Sequence, residues 1–457
     1  MAKKIVLIGA GSSMFTASLV RGILDGRTFD DGVLALVDIN PETLDLVTRL
    51  CKRLIEARGH GPKVEASTER KDVLPGADYV TATISVGGDD AWQNDLQIPL
   101  RHGVLQPTGD TVGAGGFSRA LRHVPVLVEV ARDMERLCPQ AILFNYSNPM
   151  TTLCRAVNRE TRIQCFGLCV GAELIRRYLV SLCALPLHET AVHAAGINHC
   201  MWALGFQWKG RDAYPLVRAK IAEISGRDAG AFERELKRYG GLEKRPDQPF
   251  HGVQRFTHRL FEQFGLFPGP GDTHVAEFFP HLFRRPEDYE AFGLKLFNMQ
   301  WKRQATAKFM DMARAVADGT LSPQEAKLAD ASGEEQQVVE IVRALQAGAP
   351  YTFHVNVPNR GYIPNLPAYA CVEVPTYFDS FGAHPCTVGA LPAPIAAVVS
   401  HWVHTQELYV DAALSGDRKA ALTAYLSDLS CPSVAAGERI CDELLAANKG
   451  WLPRFAS

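Results

Sequence analysis

The sequence predicts an α/β protein in which a Rossmann fold, a doubly wound parallel sheet, is followed by an α+β domain. Two observations predict this fold class. Over roughly the first two hundred residues, short β-branched runs alternate with stretches whose apolar residues recur at helical spacing, as in successive βαβ units. Beyond that point, long polar helical stretches surround a single strand region. We therefore expect two domains, 1–195 and 196–457.

The individual elements follow from periodicity and from turn residues. Six strands are predicted, at 4–9, 33–38, 79–85, 141–145, 163–168 and 191–197. Helices are predicted at 40–58 and 117–137, and in the second domain at roughly 213–239, 286–317 and 323–347. A strand region at 351–375 and further helices complete the second domain.

Composition excludes several classes of protein. With 457 residues, 47% of them hydrophobic, the chain can bury a large core, and a formal net charge of −2 offers no basic surface to nucleic acid or to an anionic membrane. No apolar run is long enough for a signal sequence or a membrane span, so we expect a cytoplasmic protein. Eleven cysteines without a C-x-x-C pair indicate buried thiols rather than a disulfide framework. The expected partner is a small molecule, and the expected assembly is a homo-oligomer, a dimer or a tetramer.

A dinucleotide site is predicted where the first strand meets the first helix. Gly9, Gly11 and Ser12 place bare backbone N–H groups at a helix N-terminus, which suits a pyrophosphate. Asp38 ends the second strand, where an acid accepts hydrogen bonds from a ribose diol and favours NAD over NADP. Ser85 lies in the loop after the third strand, at the edge where the cofactor is expected. The alternative for the glycine segment is a tight turn that holds no ligand.

Two further strand ends offer metal ligands. Cys169 follows the strand at 163–168 and His199 follows the strand at 191–197. If both strands are parallel, the thiolate and the imidazole emerge at one edge of the sheet and can share a divalent metal. The alternative is that both are packed structural residues.

Four further polar side chains are candidates for contact with a substrate. Asn148 either binds hydroxyl groups of a ligand or caps the helix that starts at Pro149. Asn198 and Arg119 are also predicted to contact the substrate. Asp272 begins a helical segment and is either an N-cap or a general base, and the sequence alone favours the cap.

Ordered motifs along nearly the whole chain resemble glycoside hydrolase family 4, the NAD- and metal-dependent glycosidases. The motifs are IGAGS at 8–12, IPLRHG at 98–103, GGFSRALR at 115–122, YSNPM at 146–150, GLC at 167–169, GINH at 196–199, GDTHVAEFFP at 271–280, VNVPNRGYI at 355–363 and VEVP at 372–375. The resemblance implies that Gly9, Gly11 and Asp38 hold NAD. It also implies roles for four residues of the later motifs: Cys169 and His199 as ligands of a divalent metal, usually manganese, Asn148 as a contact of the sugar hydroxyls, and Asp272 as the base.

The activity implied by this resemblance is hydrolysis of a non-phosphorylated α-glycoside, a hexoside or a hexuronoside. It would proceed by transient oxidation at C3 by NAD, metal-assisted deprotonation at C2, elimination of the C1 substituent and addition of water, which differs from the usual mechanism with two carboxylates. Val170 departs from the family pattern, in which the residue after the cysteine is histidine, aspartate or asparagine. Because valine cannot donate a proton, the resemblance does not identify the leaving-group acid.

Two other functions compete with this one. The architecture is shared with lactate and malate dehydrogenases, so the chain is alternatively an NAD-dependent dehydrogenase of a sugar or a 2-hydroxy acid. Arg119 and Arg122 would then clamp the substrate carboxylate, with His199 as the base. The third possibility is a catalytically silent NAD-dependent sensor, which Val170 favours. Net formation of NADH distinguishes a dehydrogenase from a glycosidase.

Overall fold

The computed structural model describes residues 3–225, 253–326 and 336–455. The strands are β1 (Lys4–Ile8), β2 (Val33–Val37), β3 (Lys63–Ser67), β4 (Tyr79–Ala82), β5 (Ile142–Asn145), β6 (Cys165–Leu168), β7 (Thr190–Ile197), β8 (Cys200–Trp208), β9 (Arg211–Asp212), β10 (Phe267–Gly269), β11 (Tyr351–Pro358), β12 (Cys371–Asp379) and β13 (Gly382–Pro385). The helices are α1 (Ser13–Gly26), α2 (Pro41–Arg58), α3 (Arg70–Val73), α4 (Gly88–Arg101), α5 (Gly113–Leu137), α6 (Met150–Glu160), α7 (Gly171–Cys183), α8 (Tyr214–Ser225), α9 (Arg255–Phe264), α10 (Asp272–Val275), α11 (Pro286–Glu290), α12 (Met299–Ala317), α13 (Gln336–Ala347), α14 (Ala393–Ser415), α15 (Arg418–Leu426) and α16 (Val434–Ala447).

The N-terminal half is a Rossmann sheet. Its strands follow the order β3-β2-β1-β4-β5-β6, and all neighbouring pairs are parallel. Five of these strands lie where strands were predicted. β3 was missed, because its sequence KVEAS lies at the sheet edge, is largely exposed and contains no apolar run. The strand order confirms the doubly wound fold.

The sixth predicted strand exists as β7, but the parallel orientation assumed for it is wrong. β11 and β12 lie between β6 and β7, and the successive pairs β6–β11, β11–β12 and β12–β7 are all antiparallel. β7 therefore runs antiparallel to β6 and forms a hairpin with β8. The local sequence pattern does not predict the orientation of β7, because the two intervening strands, β11 and β12, come from a much later part of the chain. One row of paired residues still joins these strands, namely Gly167, Asn356, Glu373 and Gly196.

In the second half of the chain, the prediction of one continuous helix at 286–317 is wrong. It contains α11 and α12, which are separated at Gly293, a glycine in the left-handed region with a φ of 71°. The Asn298 side chain then accepts a hydrogen bond from the Trp301 N–H and caps α12. The helices predicted at 213–239 and 323–347 correspond to α8 and α13 in part, and their segments 226–239 and 327–335 lie outside the described residues. β11 and β12 account for the predicted strand region.

The two halves of the chain share a hydrophobic core. α14 packs on α5 and α6, and α16 packs on α4. Phe117 on α5 is fully buried, stacks on Tyr425 at a ring-centroid distance of 5.4 Å and lies 5.6 Å from Tyr409. The sheet also continues through the predicted boundary at residue 195, which falls inside β7. Within the described ranges we find no helix with the length and apolar character needed to cross a membrane.

Candidate functional site

The glycine segment after β1 is held against the end of β2. The Gly9 backbone has a φ of 85°, and the Gly9 and Ala10 N–H groups both donate to the Val37 carbonyl oxygen. The Gly11 N–H donates to Asp38 Oδ2 at 2.7 Å, and a Cβ at Gly11 would lie only 2.6 Å from that oxygen. The segment therefore has no room for a side chain at Gly11. Its bare backbone at the start of α1 has the form that binds a pyrophosphate in Rossmann folds.

A cavity of about 320 Å³ opens at the carboxyl edge of the Rossmann sheet, beside this segment. Six residues that the sequence analysis selected line it, namely Ser12, Ser85, Arg119, Asn148, Cys169 and His199. The structure thus brings together candidates for cofactor, substrate and metal binding that lie far apart in the sequence. Gly9, Gly11 and Asp38 form the adjoining turn rather than the lining.

A group of potential metal ligands lies at this cavity. Asp110, His199 and His274 are buried, and one ligand atom from each lies within 4.8 Å of the others. The two imidazole rings stack with centroids 4.0 Å apart. Two imidazoles and a carboxylate are a donor set that suits a divalent first-row metal. Cys169 lines the same cavity but is not a member of this group.

The protonation states of this group favour a metal. Burial lowers the pKa of His274 to about 3 and also lowers the pKa of His199, so both imidazoles are neutral, as metal ligands must be. Burial opposes ionisation of Asp110, but the positive charge of His199 and His274 when they are protonated, together with the Arg119 guanidinium, outweighs it and lowers the pKa of that carboxyl. Asp110 was not predicted as a metal ligand from the sequence, and neither was His274, although His274 lies in the GDTHVAEFFP motif.

Asp110 is held in place from two sides. Its Oδ1 accepts a hydrogen bond from Thr111 Oγ1 at 2.6 Å, and its Oδ2 accepts one from Asn148 Nδ2 at 2.9 Å. The loop before it is tied down by Glu277, whose Oε1 accepts the Thr108 N–H at 2.7 Å. Burial raises the pKa of Glu277 well above its ordinary range. Glu277 is therefore a positioning residue for Asp110.

Asn148 faces the cavity and does not cap α6. The residue preceding α6 is Pro149, and no side chain in the described ranges caps this helix. The Oδ1 atom of Asn148 is buried and has no hydrogen-bond partner among the described residues. It is an acceptor available to a hydroxyl group of a ligand, which favours the ligand-binding alternative.

Arg119 lies on an aromatic wall of the cavity. Its guanidinium carbon is 5.2 Å from the centre of the Trp92 ring, and its Nε donates to the Asn148 carbonyl oxygen at 3.2 Å. Lys302 on α12 also lies over Trp92, at 5.6 Å. Arg122, in contrast, is fully buried and pairs through both terminal nitrogens with Asp95, at 2.9 and 2.6 Å. The two arginines therefore do not form a clamp for a carboxylate.

Asn198 lies beneath the site rather than in it. It is fully buried, is not part of the cavity lining, and its Nδ2 donates to Glu373 Oε2 at 3.3 Å. Asn356 Nδ2 donates to the same oxygen at 3.1 Å. Burial raises the pKa of Glu373 to about 8. These contacts fix the turn that presents His199, whose own φ is 64°.

Asp272 acts as a helix cap, although not for the helix that it begins. Its Oδ1 accepts hydrogen bonds from the Thr257 N–H at 2.8 Å and from Thr257 Oγ1 at 2.6 Å, and its Oδ2 accepts the Phe256 N–H at 3.0 Å. These are N–H groups of the first turn of α9, so the capped helix comes from an earlier part of the chain. Burial raises the pKa of Asp272 to about 6. Asp272 does not line the cavity.

Comparison with known proteins identifies the family of this chain. Residues 4–184 match the model of family 4 glycosyl hydrolases, and residues 194–430 match that of the family 4 glycosyl hydrolase C-terminal domain. An α-galactosidase of Bacillus subtilis is 30% identical over 99% of this chain and 100% of its own length. An α-galacturonidase of the same organism is 30% identical over 93% of this chain and 92% of its own length.

Solved structures show the same architecture. A Bacillus subtilis protein described as the putative glucosidase lplD has a TM-score of 0.85 and 27% identity, covering 97% of this chain and 99% of its own. A 6-phospho-α-glucosidase from gut microorganisms, solved in complex with NAD and Mn²⁺, has a TM-score of 0.81 and 21% identity, covering 99% of both chains. Both chains are covered almost completely. From these matches and the motifs along its length, the chain belongs to glycoside hydrolase family 4.

Proposed function

We propose that this protein hydrolyses non-phosphorylated α-glycosides, a hexoside or a hexuronoside, with NAD and a divalent metal, preferably Mn²⁺. The observation that supports this most strongly is that Ser12, Asn148, Arg119 and His199 line one cavity, with Asp110 and His274 beside His199. Relatives at 30% identity are named α-galactosidase and α-galacturonidase, which supports an α-glycoside as the substrate.

Different residues of the proposed site would bind NAD and the metal. When bound, NAD supplies a reversible hydride acceptor for C3 of the sugar, and the metal supplies a Lewis acid that acidifies the C2 proton. The start of α1, which the turn at Gly9 and Gly11 leaves open, would hold the pyrophosphate, and Asp38 would accept hydrogen bonds from the ribose. The imidazoles of His199 and His274 would hold the metal together with Asp110, and the Cys169 thiolate at the cavity wall would be a further ligand, as the family resemblance implies.

The substrate is oriented by polar atoms at the cavity wall. Asn148 Oδ1 accepts a hydrogen bond from a sugar hydroxyl, and the Arg119 guanidinium donates to a sugar oxygen. The base that removes the C2 proton is Asp272, the role that its family motif implies; to act, its carboxylate would have to leave the first turn of α9 and enter the cavity. Water then adds at C1 after the aglycone leaves. A position in the cytoplasm and assembly as a homo-oligomer stay predictions from the sequence.

The test is a screen of 4-nitrophenyl α-glucoside, α-galactoside, α-glucuronide and α-galacturonide with NAD, manganese and a reductant. We expect hydrolysis of at least one of these substrates, its loss with a metal chelator, and no net NADH. In deuterium oxide, the released sugar should acquire deuterium at C2. Asp272→Asn should abolish this labelling and leave NAD binding intact.

Three outcomes would contradict the proposal. NADH formed in proportion to substrate consumed would indicate a dehydrogenase. Tight binding of NAD with no turnover of any glycoside would indicate a silent sensor. Hydrolysis without deuterium at C2 would refute the elimination step, although it would leave the glycosidase activity standing.

A further inference from the structure

A second and larger cavity, of about 480 Å³, lies at the opposite edge of the sheet. It is bordered by the start of β6, the end of β11 and the start of β12, whereas Cys169 follows the other end of β6. β6 has four residues, so the two sites are separated by about 13 Å of strand at roughly 3.3 Å per residue. The cavity is therefore distinct from the site proposed for NAD and glycoside.

The charges around this cavity have one sign. Arg155, Arg162 and Arg360 line it, and none of the described residues in its lining is an aspartate or a glutamate. Arg155 is paired with Glu407 through two hydrogen bonds of 2.7 and 2.8 Å. Arg162 and Arg360 are exposed, and neither guanidinium has a carboxylate within 4.0 Å in the part of the chain that the structure describes. Two of the three arginines that line this concave surface, Arg162 and Arg360, thus have no carboxylate partner among the described residues, and Glu407 pairs with the third.

A buried amide adds a further donor. Asn158 on α6 lines the cavity, and its Nδ2 is buried without a hydrogen-bond partner among the described residues. A buried N–H group that bonds nothing costs free energy, so such groups usually find a partner. The oxygen atoms of an oxyanion would accept hydrogen bonds both from the guanidinium groups and from this amide.

We propose that this cavity binds a small multivalent oxyanion, an organic phosphate or a compound with two carboxylates. The planar guanidinium groups of Arg162 and Arg360 match such oxygens in pairs, and Arg155 and Asn158 complete the donor set. A volume of about 480 Å³ lies in the range of sites for small molecules. This site is independent of the proposed glycosidase reaction, and its ligand is neither NAD nor the glycoside.

The test is calorimetric titration of the full chain, loaded with NAD and manganese, with sulfate as a tetrahedral dianion and with succinate as a dicarboxylate. We expect one saturable site for at least one of them. Preference for sulfate would assign a phosphate-type ligand, and preference for succinate a carboxylate. Arg162→Gln and Arg360→Gln should each weaken binding about tenfold, as expected for the loss of one charged hydrogen-bonding group.

Arg439→Gln is the matched control, because it removes an exposed arginine of α16 that does not line the cavity. It should leave anion binding unchanged. No saturable binding of either anion, or an equal loss in Arg439→Gln, overturns the proposal. Sedimentation velocity measures whether Arg162 and Arg360 instead hold an oligomer together. If neither anion binds and the double variant Arg162→Gln/Arg360→Gln breaks an oligomer apart, these arginines hold a second copy of the chain and the proposal is wrong.

Discussion

Replacing Glu373 by glutamine should make the protein less sensitive to rising pH. Glu373 is fully buried at the centre of the sheet, and burial raises its pKa from 4.5 to about 8. In the unfolded chain this carboxyl ionises near pH 4.5, whereas in the folded protein it keeps its proton up to about pH 8. Between these two values the unfolded state is stabilised by ionisation and the folded state is not, so the free energy of unfolding falls as the pH rises.

The magnitude follows from the two pKa values. Their difference of about 3.5, from 8 minus 4.5, corresponds to about 5 kcal/mol at ~1.36 kcal/mol per pKa unit. The loss is absent below pH 4.5 and complete above about pH 8. Glutamine has the same shape, cannot ionise, and keeps an oxygen that accepts from Asn198 and Asn356. The free energy of unfolding of Glu373→Gln minus that of the wild type should therefore grow across this interval.

The assay is denaturant unfolding of both proteins at a series of pH values from 5 to 9, with the exposed Glu438→Gln as the matched control for loss of a surface carboxylate. Difference infrared spectra at pH 7 should contain a protonated carboxyl band that disappears in Glu373→Gln. A difference in stability that stays constant with pH, together with no such band, would refute the reasoning, because it would mean that Glu373 is ionised in the folded protein.

Three further predictions concern the proposed activity. Cys169→Ala should weaken manganese binding more than about tenfold in calorimetry. The control Cys386→Ala, which changes an exposed cysteine, should not weaken it. If both variants bind manganese equally well, Cys169 is a packing residue. Gly11→Ala should raise the NAD dissociation constant at least about tenfold, since the new Cβ meets the Asp38 carboxylate, and normal NAD binding would contradict the assignment of this turn. Val170→His should raise kcat/KM about tenfold more for alkyl than for aryl glycosides, because histidine adds an acid that can protonate a poor leaving group. An unchanged ratio of kcat/KM for alkyl to aryl glycosides would mean that residue 170 does not supply this acid.

Local features of the sequence were sufficient for the Rossmann half. The strands β1, β2, β4, β5 and β6 were predicted because each is a short apolar run between turn residues. The dinucleotide segment was predicted because Gly9 and Gly11 lie in one turn, and Asp38 ends the neighbouring strand. The edge strand β3 has no apolar run, so it was not predicted from the sequence.

The direction of side chains at the ends of strands could not be derived in this way. Asn198 and Asn148 are both amides in loops after strands, yet Asn198 points down to Glu373 and Asn148 lines the cavity. For Asp272, the sequence correctly offered a helix cap, but the capped helix is α9, which no local pattern connects to it. Each of these choices depends on which element packs opposite the loop.

By itself, the sequence determined the fold class, the family and the turn for the dinucleotide, because short-range spacing and turn chemistry encode them. Only the tertiary structure decided the set of residues around the candidate metal site. It inserted β11 and β12 between β6 and β7, and it brought Asp110 from the loop before α5 and His274 from α10 to His199. Such contacts join distant parts of the chain through packing of the whole core, and no local periodicity records them.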